Sequence, residues 1–87
     1  MYNLIFSKEA RKFIDRQNPQ TKQRIRNALL QLAEDPFSNR QVKRLKGTED
    51  FLRLRVGDIR VVFSVEEEKL VILIIAIGNR GDIYNKF

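Results

Sequence analysis

Cysteine and histidine are both absent from this 87-residue chain. Without thiols there is neither a disulfide framework nor a thiolate metal site. Without imidazole the usual acid–base pair of a hydrolytic site is missing too. Long apolar runs are lacking: LVILIIAI at 70–77 has strand length and falls far short of the ~20 residues a membrane span needs. The N-terminal MYNLIF is too short to be the h-region of a signal peptide, so a cytoplasmic protein with no membrane association is expected. Linkers, repeats and low-complexity segments are also missing, and residues 1–87 read as one domain. A chain this short buries only about 60% of the surface its unfolded form exposes, enough for a single modest core. Acidic residues are scarce relative to basic ones, 11 against 17, which leaves a net charge of +6 and a pI near 10.1. That balance suits a polyanionic partner, either nucleic acid or an acidic protein, and equally well a merely soluble basic surface.

What is present falls into short, well-punctuated segments. Residues 2–6 read as a strand with Leu4 and Phe6 on one side. Ser7 is placed to cap a helix near 8–17, on which Ala10, Phe13 and Ile14 share a face. Asn18-Pro19 starts a second helix, about 19–34, with Asn at the cap and Pro at the first helical position. Ile25, Ala28, Leu29, Leu32 and Ala33 follow at helical spacing as one apolar stripe, and Asp35-Pro36 ends it. Residues 36–50 show no period and read as a loop that carries Lys43, Arg44 and Lys46. Strands are expected at about 50–56, 59–66 and 69–77. The last is apolar on every residue from Leu70 to Ile77, which predicts cover on both of its faces, one of them by the helical pair. The fold class is therefore α+β, with an N-terminal strand and an αα-hairpin packed on a small, mainly antiparallel twisted sheet, in the order β-α-α-β-β-β.

The segment FLRLRVGDIRVVFSV at 51–65 reads as a β-hairpin. Gly57 occupies the first central position of a two-residue loop, as a type II′ turn requires. That turn sets Val56 against Ile59, Arg55 against Arg60 and Leu54 against Val61. One face is then hydrocarbon. The other carries Arg53, Arg55 and Arg60, although like charges opposed across strands cost a few tenths to about 1 kcal/mol. The last strand returns through the acidic Glu66-Glu67-Glu68 turn and is expected to finish with Ile77 beside Asp58. GNRGDIY (78–84) would then leave the sheet at the arginine end, bringing Arg80 and Tyr84 within reach of Arg53, Arg55 and Arg60. Taken singly, each has a plain explanation. Arg53 and Arg55 suit the solvent side of an amphipathic strand, Arg80 suits a strand cap, Tyr84 a lid on the core, and Lys43, Arg44 and Lys46 a solvated loop. Taken together they favour an anion site.

RLKG at 44–47, FLRLRVGDIRVVFSV, the acidic turn, the apolar strand and IGNRGDIY at 77–84 resemble the RelE/ParE superfamily of type II toxin–antitoxin systems. LRVGDIRVVF and the closing G-x-R-x-x-x-Y are the most specific parts, and the likeness extends over nearly the whole chain. The resemblance to the RelE-like branch implies a toxin that cleaves messenger RNA on the ribosome and is neutralised by a cognate acidic antitoxin. It implies catalytic roles for Arg53, Arg55, Arg60, Arg80 and Tyr84, with RNA contacts from Lys43, Arg44 and Lys46 and neither metal nor cofactor. The implied reaction is transesterification: the 2′-OH attacks the adjacent phosphate, giving a 2′,3′-cyclic phosphate and a 5′-OH.

The residues suit that chemistry. Guanidiniums match the charge of a pentacoordinate phosphorane. A phenol ionises near pH ~10, and neighbouring cations favour the phenolate that would act as base. Glu66, Glu67 and Glu68 stand at the far end of the sheet from the arginines, and no carboxylate cluster suits two-metal chemistry. Some relatives carry lysines where Arg53 and Arg55 stand. Arginine stays protonated and is a poor general acid, so the leaving oxygen takes its proton slowly or from another donor, Lys46 or a water. Two other readings stay open: a ParE-like toxin that inhibits DNA gyrase without cutting nucleic acid, and a basic RNA-binding module without catalysis.

Overall fold

The structure, a computed structural model, describes residues 1–45 and 50–79. Strand β1 (Asn3–Phe6) leads into helices α1 (Lys8–Asp15) and α2 (Pro19–Glu34), followed by strands β2 (Val42–Arg44), β3 (Leu52–Val56), β4 (Ile59–Glu66) and β5 (Val71–Asn79). Among the described residues the strands form one sheet in the order β1-β5-β4-β3-β2, with β1–β5 parallel and the other pairs antiparallel. The fold is α+β, as the segment pattern implies, with one strand more than expected. Residues 42–44 are not loop. They pair antiparallel with β3 and form an edge of the sheet. Three residues are too few to display an alternation, and an edge strand of this length owes its form to its neighbour rather than to its own sequence.

The helix boundaries follow from their caps. Ser7 Oγ accepts from Ala10 N at 3.0 Å, and Asn18 Oδ1 accepts from Thr21 N at 2.8 Å, each satisfying a donor that the first helical turn leaves open. At the far end of α2, Asp35 Oδ1 accepts from the backbone N–H groups of Phe37 and Ser38 at 3.1 and 3.2 Å. The Ser38 side chain, together with those two N–H groups, holds the exposed Asp35 carboxyl below its ordinary range.

Both helices lie on one face of the sheet. Ala10, Ile25, Leu29 and Leu32 meet Leu54, Val61, Phe63, Ile72, Ile74 and Ile77 in a single core, with α1 packed on β5 and α2 on β3. Among the described residues no helix is long and apolar enough to cross a membrane.

β5 departs from simple alternation. Val62 pairs with Ala76, but the next residue, Phe63, pairs with Ile74, so Ile75 is an extra residue bulged out of the ladder. Ser7 answers the bulge: its N–H donates to Ile74 O at 2.9 Å and its Oγ to Ile75 O at 2.6 Å. One side chain therefore starts α1 and ties it to the bulge. The strand also runs two residues further than expected. Ile77 lies opposite Val61, and Asn79, not Ile77, reaches the level of Ile59 beside the turn. The expectation of cover on both faces holds fully on the helix side and in part on the other. There Leu73 and Ile75 are partly buried, and Ala76 is buried with Val62 in a small second cluster that Leu45, Phe51 and Ile75 pack against.

The β3–β4 hairpin has the register that its sequence implies, with Val56 opposite Ile59, Arg55 opposite Arg60 and Leu54 opposite Val61. Gly57 has φ +60°, while Asp58 keeps a negative φ, the type II′ signature. An alanine at Gly57 is forced to a positive φ that an L-residue adopts only at a cost of roughly 1–3 kcal/mol. Gly57→Ala is thus expected to lose that amount of stability, read as a lower urea midpoint.

Candidate RNA-binding site

Directly paired residues of antiparallel strands project to the same side, with their Cβ atoms about 5 Å apart. Opposite the helices, the sheet therefore presents two rows. One runs Lys43, Arg53, Val62, Ala76; the next runs Arg55, Arg60, Gly78. Lys43, Arg53, Arg55 and Arg60 form a single basic patch on neighbouring strands. No Asp or Glu occurs in β3, in β5, or in β4 before Glu66 at its far end. Val62 and Ala76, in the same row as Lys43 and Arg53, are not open to solvent: both are buried, with Leu45, Phe51 and Ile75 packed against them.

The four cations differ in freedom. Lys43 and Arg55 are exposed and Arg53 is half-buried. Arg60 is only 5% exposed, so it does not stand free on the solvent face as the alternation implies. Its Nη1 donates to Gly57 O at 2.7 Å and to Ile59 O at 3.1 Å, anchoring the guanidinium against the hairpin turn. The cause is local: a side chain at the second residue after a tight turn can fold back onto the carbonyls of the turn. The result is a cation of fixed position with one edge already engaged.

Lys43 and Arg44, the two described cations of the expected loop, project to opposite sides of the sheet. Arg44 pairs with Leu52 and so projects to the helix side of the edge strand, away from Arg53, Arg55 and Arg60. Lys43 is drawn into the patch because it lies in a strand rather than a loop. Lys46, Arg80 and Tyr84 fall outside the described residues. Asn79, the last described residue, pairs with Ile59 at the arginine end of the sheet.

One cation at this end was not anticipated. Arg24, on the exposed side of α2, extends to the hairpin turn: a Cβ placed on Gly57 would lie 2.7 Å from its Nη2. No signal in the sequence marks it, since it is one of many basic residues on the polar sides of the helices.

A second surface feature lies at the other end of the sheet order. Leu4, Phe6, Ile14, Ile25, Leu29 and Leu30 line an apolar groove of about 270 Å³ between β1 and the two helices, with Lys22 and Arg26 on its rim. Ile5 and Leu30 beside it are about half exposed.

These features define a small basic α+β domain that carries an arginine-rich sheet face. Residues 4–84 match the family described as ParE toxin of type II toxin–antitoxin systems, parDE, and the chain belongs to it. Among solved structures it resembles the archaeal RelE–RelB complex from Pyrococcus horikoshii OT3, at 28% identity and TM-score 0.79 over 93% of this chain and 97% of that one. It is similar as well to the toxin–antitoxin complex RelBE of E. coli, at 26% identity and TM-score 0.76 over 91% and 96%. The isolated E. coli RelE toxin shares the fold, at 23% identity and TM-score 0.77 over 99% and 94%. No curated protein matches the sequence. The chain is a toxin of the RelE/ParE superfamily.

Proposed function

We propose that this toxin is a ribosome-dependent messenger-RNA endonuclease held in check by an acidic antitoxin. The register that carries the reading sets Arg55 against Arg60, with Lys43 and Arg53 in the adjoining row, cations with no carboxylate among them. The fold accepts the repulsion between them, and a bound phosphodiester removes it. In the proposed reaction the substrate's 2′-oxygen bonds to phosphorus and the P–O5′ bond breaks. The 2′-OH proton passes to the Tyr84 phenolate, and the departing 5′-oxygen is protonated by Lys46 or water. Arg60, already fixed to the turn, is suited to the phosphorane's charge because little reorganisation is needed at the moment of reaction. Arg53, Arg55 and Arg80 share that charge, and Lys43 holds the flanking backbone.

The antitoxin reading is supported by the complexes that the chain resembles and by its own surface. A net charge of +6 and an apolar groove rimmed by Lys22 and Arg26 suit an acidic segment with a hydrophobic side. The neighbouring open reading frame is expected to encode such a protein, and its co-expression to restore growth.

A second reading has its own support, because the family that matches is that of ParE toxins. The resemblance then implies gyrase inhibition without nucleic-acid cleavage. Induction of the toxin separates the two. Rapid translation arrest with cleaved, ribosome-bound message is expected; DNA breaks and a DNA-damage response with intact message would favour the second reading instead.

A further inference from the structure

We propose that Arg24 is an RNA-phosphate contact of this toxin, holding the backbone next to the phosphate bound on the arginine face. This rests on the reading above that the face takes RNA.

Two guanidiniums approach the same turn residue from opposite sides of the hairpin. Arg60 comes from β4, its Nη1 2.7 Å from Gly57 O. Arg24 comes from α2, its Nη2 2.7 Å from where a Gly57 Cβ would stand. The missing side chain at Gly57 is what lets Arg24 come so close, so the glycine serves the turn and the approach together.

Arg24 is exposed, and among the described residues it has no hydrogen-bond or ion-pair partner. Asp58, the acidic residue of the turn, is exposed beside it without pairing to it. An exposed arginine on a helix normally spreads into solvent. This one lies across the tip of the hairpin, at the end where Arg55 and Arg60 oppose each other. A strand of RNA leaving the arginine face over that tip meets Arg24 next. Because the contact is to phosphate, it carries affinity and position but no base preference.

The test is binding of a short single-stranded 2′-O-methyl RNA, which lacks the attacking hydroxyl, measured by fluorescence anisotropy across a salt series. Each phosphate contact on a single strand contributes about 0.7 to the slope of log K against log salt. Arg24→Ala is expected to flatten the slope by about that amount, equally for oligonucleotides of unrelated sequence, with a thermal melt like that of the parent. Arg24→Lys is expected to restore the slope. Arg26→Ala, which removes the same charge two residues along α2 at the rim of the apolar groove, is expected to leave it unchanged. A parent-like slope for Arg24→Ala overturns the proposal, and so does equal flattening by Arg26→Ala, which would reduce the effect to net charge. A parent protein without affinity for the RNA overturns the proposed function and the role of Arg24 with it.

Discussion

Replacing Arg60 with alanine is expected to abolish toxicity, with the cleavage rate on programmed ribosomes falling about 10²–10³-fold, the usual cost of one preorganised donor to an oxyanion. Arg60 is nearly buried, bonds two turn carbonyls and faces Arg55 directly. Its loss removes a guanidinium that cannot be replaced by side-chain rearrangement, because the neighbouring cations are set by their own strands. The same substitution removes two charge-assisted bonds to the turn, each worth roughly 1.5–3 kcal/mol. The loss is offset in part by relief of the repulsion with Arg55, a few tenths to about 1 kcal/mol. Some destabilisation therefore accompanies the loss of activity, and a fold control is needed.

Arg55→Ala supplies that control. Arg55 is exposed, and its backbone N–H, which donates to Gln41 O at 3.1 Å, is untouched by truncation. This variant is expected to be slightly more stable than the parent and still much less active. Stability that rises while cleavage falls is what a site built from mutually repelling cations requires. A purely solvated strand face predicts no change in either. Arg60→Lys keeps the charge but not the planar fork, and is expected to recover only part of the rate.

Phe63→Ala should produce a large loss of stability. Phe63 is fully buried, the largest such side chain among the described residues, pairs with Leu52 and Ile74, and sits where the β4–β5 register shifts. Truncating a buried phenylalanine costs about 3–5 kcal/mol. At ~0.05–0.15 kcal/mol per residue, a domain of 87 residues holds only a few times that at best. The variant is expected to be partly unfolded at 37 °C, and urea titration followed by circular dichroism reads the loss directly. A change under 1 kcal/mol would mean that the core repacks around the gap.

Both variants test features that differ in how openly the sequence displays them. Ser7, Asn18-Pro19 and the apolar stripe from Ile25 to Ala33 act over one or two helical turns, so both helices were legible. Gly57-Asp58 fixes the hairpin register in the same local way, and with it the opposition of Arg55 and Arg60. What escaped depends on partners distant in sequence. The edge strand Val42–Arg44 has no alternation of its own and exists because β3 offers it a ladder, which also decides that Lys43 joins the arginine face and Arg44 does not. The Ile75 bulge is invisible in an all-apolar strand, where every residue suits either face. It is stabilised by Ser7, 68 positions away in sequence. The anchoring of Arg60 on Gly57 and the reach of Arg24 to the same turn are side-chain conformations, which no periodicity encodes.

The most direct test of the account is a cleavage assay on programmed ribosomes, using message that carries a single 2′-deoxy substitution at the nucleotide that supplies the attacking hydroxyl. The ribose message is expected to yield a 2′,3′-cyclic phosphate and a 5′-OH, and the deoxy message to remain whole. Equal cutting of both would contradict the proposed chemistry of the arginine face.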